Sequence, residues 1–319
     1  MDFLYFLEGI RNPVLDKIFS VITMFGEELA VLSVICVLYW CLNKNLAYKI
    51  GLVFFFSGLA VQALKITFRI DRPWVIDPDF EPVAGSKAAA TGYSFPSGHS
   101  QSSASLFGTL ACHFKKWWAT VICTLIFLAV GFSRMYLGVH TPKDVVVGLA
   151  LALVTAIVVE FFVMRRIPDT KKGNLTVAAV LAVLSAALMV YSLVMMGTGV
   201  IEAKYADDCA KASAAGLGLA VGWFVERTYI KFETKTDKFW KQIVKLAVGV
   251  GVALGLKSGI KALFTGVFGL AVDTPAFIPV DLFRYFIMVL WVLVIFPIMI
   301  KKIFAPKSEK VEETKKETV

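Results

Sequence analysis

The sequence is poor in the residues that build metal and redox centres. It holds three histidines and five cysteines in 319 residues. Cys36, Cys41, Cys112, Cys123 and Cys209 include no C-x-x-C pair, and four of them fall in or beside apolar runs. The spacings of zinc-finger and dithiol sites are absent, and the thiols read as small core residues rather than redox or zinc ligands. No metal and no cofactor is expected. Charge is also sparse, at 18% Asp, Glu, Lys and Arg. The net balance of +9 sits on basic residues that flank apolar runs. A membrane surface accounts for it, and no nucleic-acid partner is expected. Met1 to Ile10 lacks a basic start followed by a long apolar run, so a cleavable signal peptide is not expected either. There is no strong internal repeat.

What the chain has in abundance is apolar sequence. It is 58% hydrophobic, with a mean hydropathy of +0.73, more than a soluble domain of this size carries. Apolar runs of about 16 to 23 residues recur, the length that crosses a bilayer core. The expected fold class is all-α, a polytopic transmembrane helix bundle of about eight to nine spans. The spans are read at 29–42, 50–64, 98–114, 117–132, 145–164, 175–196, 210–225, 243–264 and 282–300. Residues 1–27 show a rough helical period and read as an interfacial helix. The basic linker Arg165 to Lys172 is the best candidate boundary, and the charged tail after Lys301 reads as disordered.

Nine spans place the loops on alternating sides. Lys44, Lys49, Lys115, Lys116, Arg165, Arg166, Lys171, Lys172, Lys301 and Lys302 collect on one side, cytoplasmic by the positive-inside rule. The loop 70–96, His99, Arg134 and His140 then fall on the other side. Trp40, Trp74, Trp117, Trp118 and Trp240 sit near proposed span ends, where an aromatic belt would lie.

Three polar stretches share that second side. In the first, Lys65 and Arg72 are two helical turns apart, on one face if the second span continues to Pro73. The cluster equally fits a snorkelling basic helix end. In the second, Pro96-Ser97-Gly98-His99 starts an apolar helix. Ser97 is a good N-cap, Gly98 lets a ligand approach the backbone, and a positive helix end attracts anions. A plain capped start with an incidental histidine fits as well. In the third, Thr141-Pro142-Lys143-Asp144 reads as a capping box, with His140 just before it. Asp144 can cap this helix and also hold one ring nitrogen of His140, leaving the other as a nucleophile. Arg134 offers a planar fork to phosphate oxygens. His113, beside Lys115 and Lys116, is assigned no role. Lys257 and Lys261 lie one turn apart inside a span; they either snorkel or contact an anionic head group.

Lys65 with Arg72-Pro73, Pro96-Ser97-Gly98-His99, and Ser133-Arg134 with His140 and Asp144 together resemble the signature of the type 2 phosphatidic acid phosphatase (PAP2) superfamily. The likeness covers about residues 65–144, with supporting helices over most of 1–168. It implies a PAP2-like catalytic core at 1–168, additional transmembrane helices at 169–304, and a charged cytoplasmic tail at 305–319. It implies that His140 attacks phosphorus, Asp144 orients His140, and His99 protonates the leaving oxygen and then activates water. Lys65, Arg72, Ser97, Gly98 and Arg134 would hold the phosphate, without a metal. The implied substrates are phospholipids or polyprenyl phosphates, such as phosphatidate, phosphatidylglycerol phosphate, undecaprenyl diphosphate and sphingoid phosphates. The expected setting is the plasma membrane, with an extracytoplasmic site. A phosphotransferase on the same scaffold and a non-catalytic lipid-binding or translocating protein are the alternatives.

Overall fold

The structure is a computed structural model that describes residues 1–88 and 90–304. Every regular element among them is helical. The principal helices are α1 (Asp2–Gly9), α2 (Pro13–Thr23), α3 (Glu28–Val37), α4 (Lys44–Phe68), α5 (Gly98–Phe114), α6 (Trp117–Tyr136), α7 (Pro142–Val158), α8 (Lys171–Gly197), α9 (Ala203–Val225), α10 (Phe239–Gly266) and α11 (Ile278–Leu290). Helices α3 to α11 occupy the nine positions read as spans. The charged tail at 305–319 lies outside the described residues.

Six helical stretches are long and apolar enough to cross a membrane. The pair Pro13–Gly26 and Glu28–Leu42, bent by 50°, makes a seventh if taken as one span. The N-terminal stretch is two helices rather than one. Asn12 breaks it, its side chain accepting the N–H groups of Val14 and Leu15 at 3.2 and 3.0 Å, and Pro13 opens α2.

Helices α5 and α9 fall outside the apolar set for a physical reason: they are buried in protein. Ser100, Ser102, Ser103, Ser105 and Thr109 of α5 are all buried. Their small hydroxyl side chains bond within the helix, as Ser105 Oγ does to the Gln101 carbonyl at 2.8 Å. Gln101 Nε2 crosses to α4, donating to Ser57 Oγ at 2.7 Å and the Phe54 carbonyl at 3.0 Å. Helix α9 packs through alanine and glycine. A Cβ on Gly216 would stand 2.2 Å from Ser185 Oγ of α8, and one on Gly222 2.5 Å from Leu293 Cβ. Small residues let the backbones approach where lipid offers no hydrophobic drive between helices.

Helix α4 joins the two halves. It packs against α5 and α7 on one side and α8 and α9 on the other. The main core cluster runs across this junction, including Leu52, Leu59, Leu181, Cys209, Leu219 and Phe296.

Candidate active site

The loop before α7 positions His140. Arg134 lies in the last turn of α6, and its carbonyl accepts the N–H groups of Val139 and His140 at 3.1 and 3.3 Å. Gly138 turns the loop with φ 77°, and a Cβ there would stand 2.7 Å from Arg11 Nη2. A side chain would meet both a backbone penalty and a clash. His140 is thereby 2% exposed.

Arg72 meets the ring. Its Nη1 lies 2.9 Å from His140 Nε2 and donates to the Val139 carbonyl at 2.9 Å. Nε and Nη2 donate to the carbonyls of Gly92 and Thr91 at 3.1 and 2.6 Å. A guanidinium has no acceptor, so His140 Nε2 is the lone-pair nitrogen and the ring proton sits on Nδ1. The expected route to this position is corrected. Helix α4 does not run to Pro73; it stops at Phe68, with Arg69 left-handed at φ 49°. Arg69 closes the end by donating to the Ile66 and Thr67 carbonyls. Arg72 is extended (φ −71°, ψ 153°), ahead of a short turn at Pro73–Ile76. A chain reversal, not a shared helix face, directs Arg72 to the ring.

Asp144 stands behind His140. Its Oδ2 accepts the Thr141 N–H at 2.8 Å, the expected cap. The same oxygen accepts Ser94 Oγ–H at 2.6 Å and lies 3.6 Å from His140 Nδ1. Ser94 Oγ is itself 3.5 Å from Nδ1, so it bridges the pair. Asp144 Oδ1 is buried without a hydrogen-bond partner. Burial, the largest influence, holds the His140 imidazole well below the usual histidine range; Asp144 opposes this, and Arg72 and Arg134 add to it.

The α5 start is locked to α7 by the Ser97 N–H, which donates to the Asp144 carbonyl at 2.9 Å. Ser97 Oγ accepts the Ser100 N–H at 3.4 Å and its Oγ–H at 3.0 Å. A Cβ on Gly98 would meet nothing within 4 Å, so the space before this helix end is open. Arg134 is 2% exposed; its Nη1 donates to Thr23 Oγ1 at 2.8 Å, while Nε has no partner.

Lys65, Arg72, Gly98, His99, Arg134 and His140 line one chamber of about 560 Å³. Ser97 and Asp144 stand behind its wall. The rest of the chamber is largely apolar and continues between α3, α4, α9, α10 and α11, past Leu32, Phe54, Val250 and Met288. Lys257 also lines it, but Lys261 does not and sits in an adjoining pocket. Among the described residues, no group of three or more His, Cys, Asp or Glu could hold a metal ion.

The model of the PAP2 superfamily matches residues 46–168, the region that holds this whole polar end. A lipid A 4'-phosphatase of Bacteroides thetaiotaomicron is 31% identical over 161 residues, which cover 46% of this chain and 68% of the relative. The chain belongs to the PAP2 superfamily. It is a phosphatase of that family and a multi-pass membrane protein. A second model, of the transmembrane extension of PAP2 superfamily phosphatases, matches residues 210–308 of this PAP2 protein. Phosphatidylglycerophosphatase B of Bacillus subtilis is 28% identical, over 48% of this chain and 77% of that one. The crystal structure of a Bacillus subtilis PAP2 type phosphatidylglycerolphosphate phosphatase aligns at TM-score 0.44 and 28% identity, covering 52% of this chain and 86% of that one.

Sequence reasoning missed three features of this PAP2 protein. Ser94 has no motif around it and stands 50 positions from Asp144. Thr23, the Arg134 partner, comes from a segment read as interfacial. The charged side chains of α9 and α11 that approach the chamber escaped notice because what joins them is visible only in the fold. Lys211 pairs with Asp207 and Asp208 of its own helix and Arg284 with Asp281 of its own, and the 3.6 Å approach of Lys211 to Asp281 links the two helices.

Proposed function

We propose that this protein removes phosphate from membrane lipids through a phosphohistidine on His140. The supporting observation is the chamber itself: three cations and two histidines at one end, continuous with an apolar cavity that suits a lipid tail. Lys65, Arg72 and Arg134 take the phosphate oxygens, and the α5 N-terminus with its open Gly98 adds N–H donors. The phosphate draws Arg72 off the His140 lone pair. His140 Nε2 then attacks phosphorus, and the bond from phosphorus to the lipid oxygen breaks. His99, carrying a proton, gives it to the departing oxygen. Asp144 stabilises the ring charge on phosphohistidine formation. Water next attacks phosphorus, His99 takes its proton, the P–N bond breaks, and phosphate leaves.

The substrate is a phosphomonoester or diphosphate lipid. Relatives are named for lipid A, phosphatidylglycerophosphate and sphingosine-1-phosphate, and undecaprenyl diphosphate and phosphatidate fit the same chamber chemistry. The site faces the extracytoplasmic side of a cell membrane, a reading supported by the basic loops at the opposite helix ends. Residues 1–168 act as the catalytic core, and the later helices complete the tail chamber. A phosphate-release panel over these lipids tests the reading, with His140→Ala as control. Loss of release from every lipid is expected; wild-type rates in the variant would overturn it.

A further inference from the structure

Beside the chamber lies a second pocket, of about 510 Å³, between α9, α10 and α11. It is lined by four cations, Lys211, Lys257, Lys261 and Arg284, with Tyr285 and Ser258 among the rest, and no carboxylate. The acids stand behind. Asp207 and Asp208 hold Lys211 at 2.8 and 3.2 Å, and Asp281 lies 3.6 Å from it. Asp281 also holds Arg284 Nη2 at 2.7 Å. This network fixes two cations in place. Arg284 is 5% exposed and its Nε has no partner. Lys257 and Lys261 make no side-chain ion pair among the described residues. Snorkelling explains one lysine near a span end. It does not explain four cations converging on one pocket, nor a buried arginine with a donor left over, which is costly in a membrane-embedded bundle.

The two cavities adjoin. Lys211, Lys257 and Tyr285 line both, so a ligand seated at His140 and one seated at Lys261 share a wall. We propose that this pocket is a second oxyanion subsite, built by the C-terminal extension, which takes a phosphate-type group that is not cleaved. Resting on the lipid phosphatase reading, the substrate class narrows to lipids with two anionic groups. One is presented to His140 and the other is retained among Lys257, Lys261 and Arg284.

Phosphatidylglycerol phosphate and phosphatidate test this with the full-length protein in detergent. Both carry a terminal phosphate on a diacylglycerol tail, but only the first has a further, diester phosphate. Lys257→Gln/Lys261→Gln should lower the ratio of kcat/KM for the first over the second about tenfold, mostly through KM. Lys261→Gln alone, on an exposed side chain, should lower it in the same direction and guards against misfolding. Binding of the two lipids to His140→Ala protein reads the subsite without turnover, so its outcome is separate from failure of the phosphatase reading. There the two-anion lipid should bind about tenfold tighter, and the lysine changes should erase the difference. Titration with inorganic phosphate distinguishes the anion's source: a second equivalent lost in the double variant shows that a free anion suffices. An unchanged kcat/KM ratio, equal binding of both lipids and a single phosphate equivalent in both proteins would overturn the subsite.

Discussion

Asp144→Asn separates chemistry from capping. In the wild-type protein Oδ2 carries three relations at once: to Thr141 N–H, to Ser94 Oγ–H and to the His140 ring. An asparagine oxygen placed there keeps the first two as neutral hydrogen bonds. Each loses about 1 kcal/mol of charge assistance, so folding should lose about 2 kcal/mol at most. The amide NH₂ falls on the Oδ1 side, where no protein donor is displaced. The rate has more to lose. Without the negative charge, the positive ring of the intermediate has no counter-ion, a loss of about 10²–10⁴-fold, or about 3–5 kcal/mol on the barrier. Phosphate release from a lipid phosphate, measured beside the thermal midpoint of the same preparation, gives both numbers. A rate within about tenfold of wild type together with a large loss of stability would refute the reasoning and leave Asp144 as a helix cap alone.

Other outcomes follow from the same geometry. Ser94→Ala removes the bridge between Asp144 and His140 and should slow release about tenfold with little change in KM; steady-state kinetics decide it. Gly98→Ala meets nothing within 4 Å in the protein, so the fold should be kept, yet the methyl enters the phosphate space and KM should rise. Burial lowers the His140 pKa, so the ring stays neutral to a lower pH, and the acid limb of kcat/KM should lie below about 6.5. By the same sign, the unfolded chain takes up this proton first, so His140's contribution to stability should fall as pH drops through about 6.5. A pH series of rate and thermal midpoint reads both.

Much of the fold was legible because lipid imposes one rule: apolar runs must be helices. The places of α3 to α11 follow from that. The start of α5 was legible too, since Ser97 caps it as its position suggests. Other features depend on contacts between distant segments. Nothing near Arg69 signals a left-handed stop, because a non-glycine residue in that conformation is held by its own bonds to the helix end. Ser94 reaches Asp144 only through the fold. Lys211 and Arg284 each have an acid three or four positions away on their own helix, but only the packing of α9 on α11 brings Lys211 to Asp281 and joins the two pairs. The site residues that the sequence marked do converge on one chamber, with Ser97 and Asp144 directly behind its wall. The exception is Lys261, which belongs to the neighbouring pocket.

The central claim is that His140 carries the phosphoryl group. It is tested most directly by mixing His99→Ala protein, slowed in the second step, with lipid bearing radiolabelled phosphate and quenching in alkali. The account predicts labelled protein, with the label on His140 Nε2, stable in base and released by acid, and no label in His140→Ala. An unlabelled His99→Ala protein beside a His140→Ala protein that still releases phosphate would contradict it.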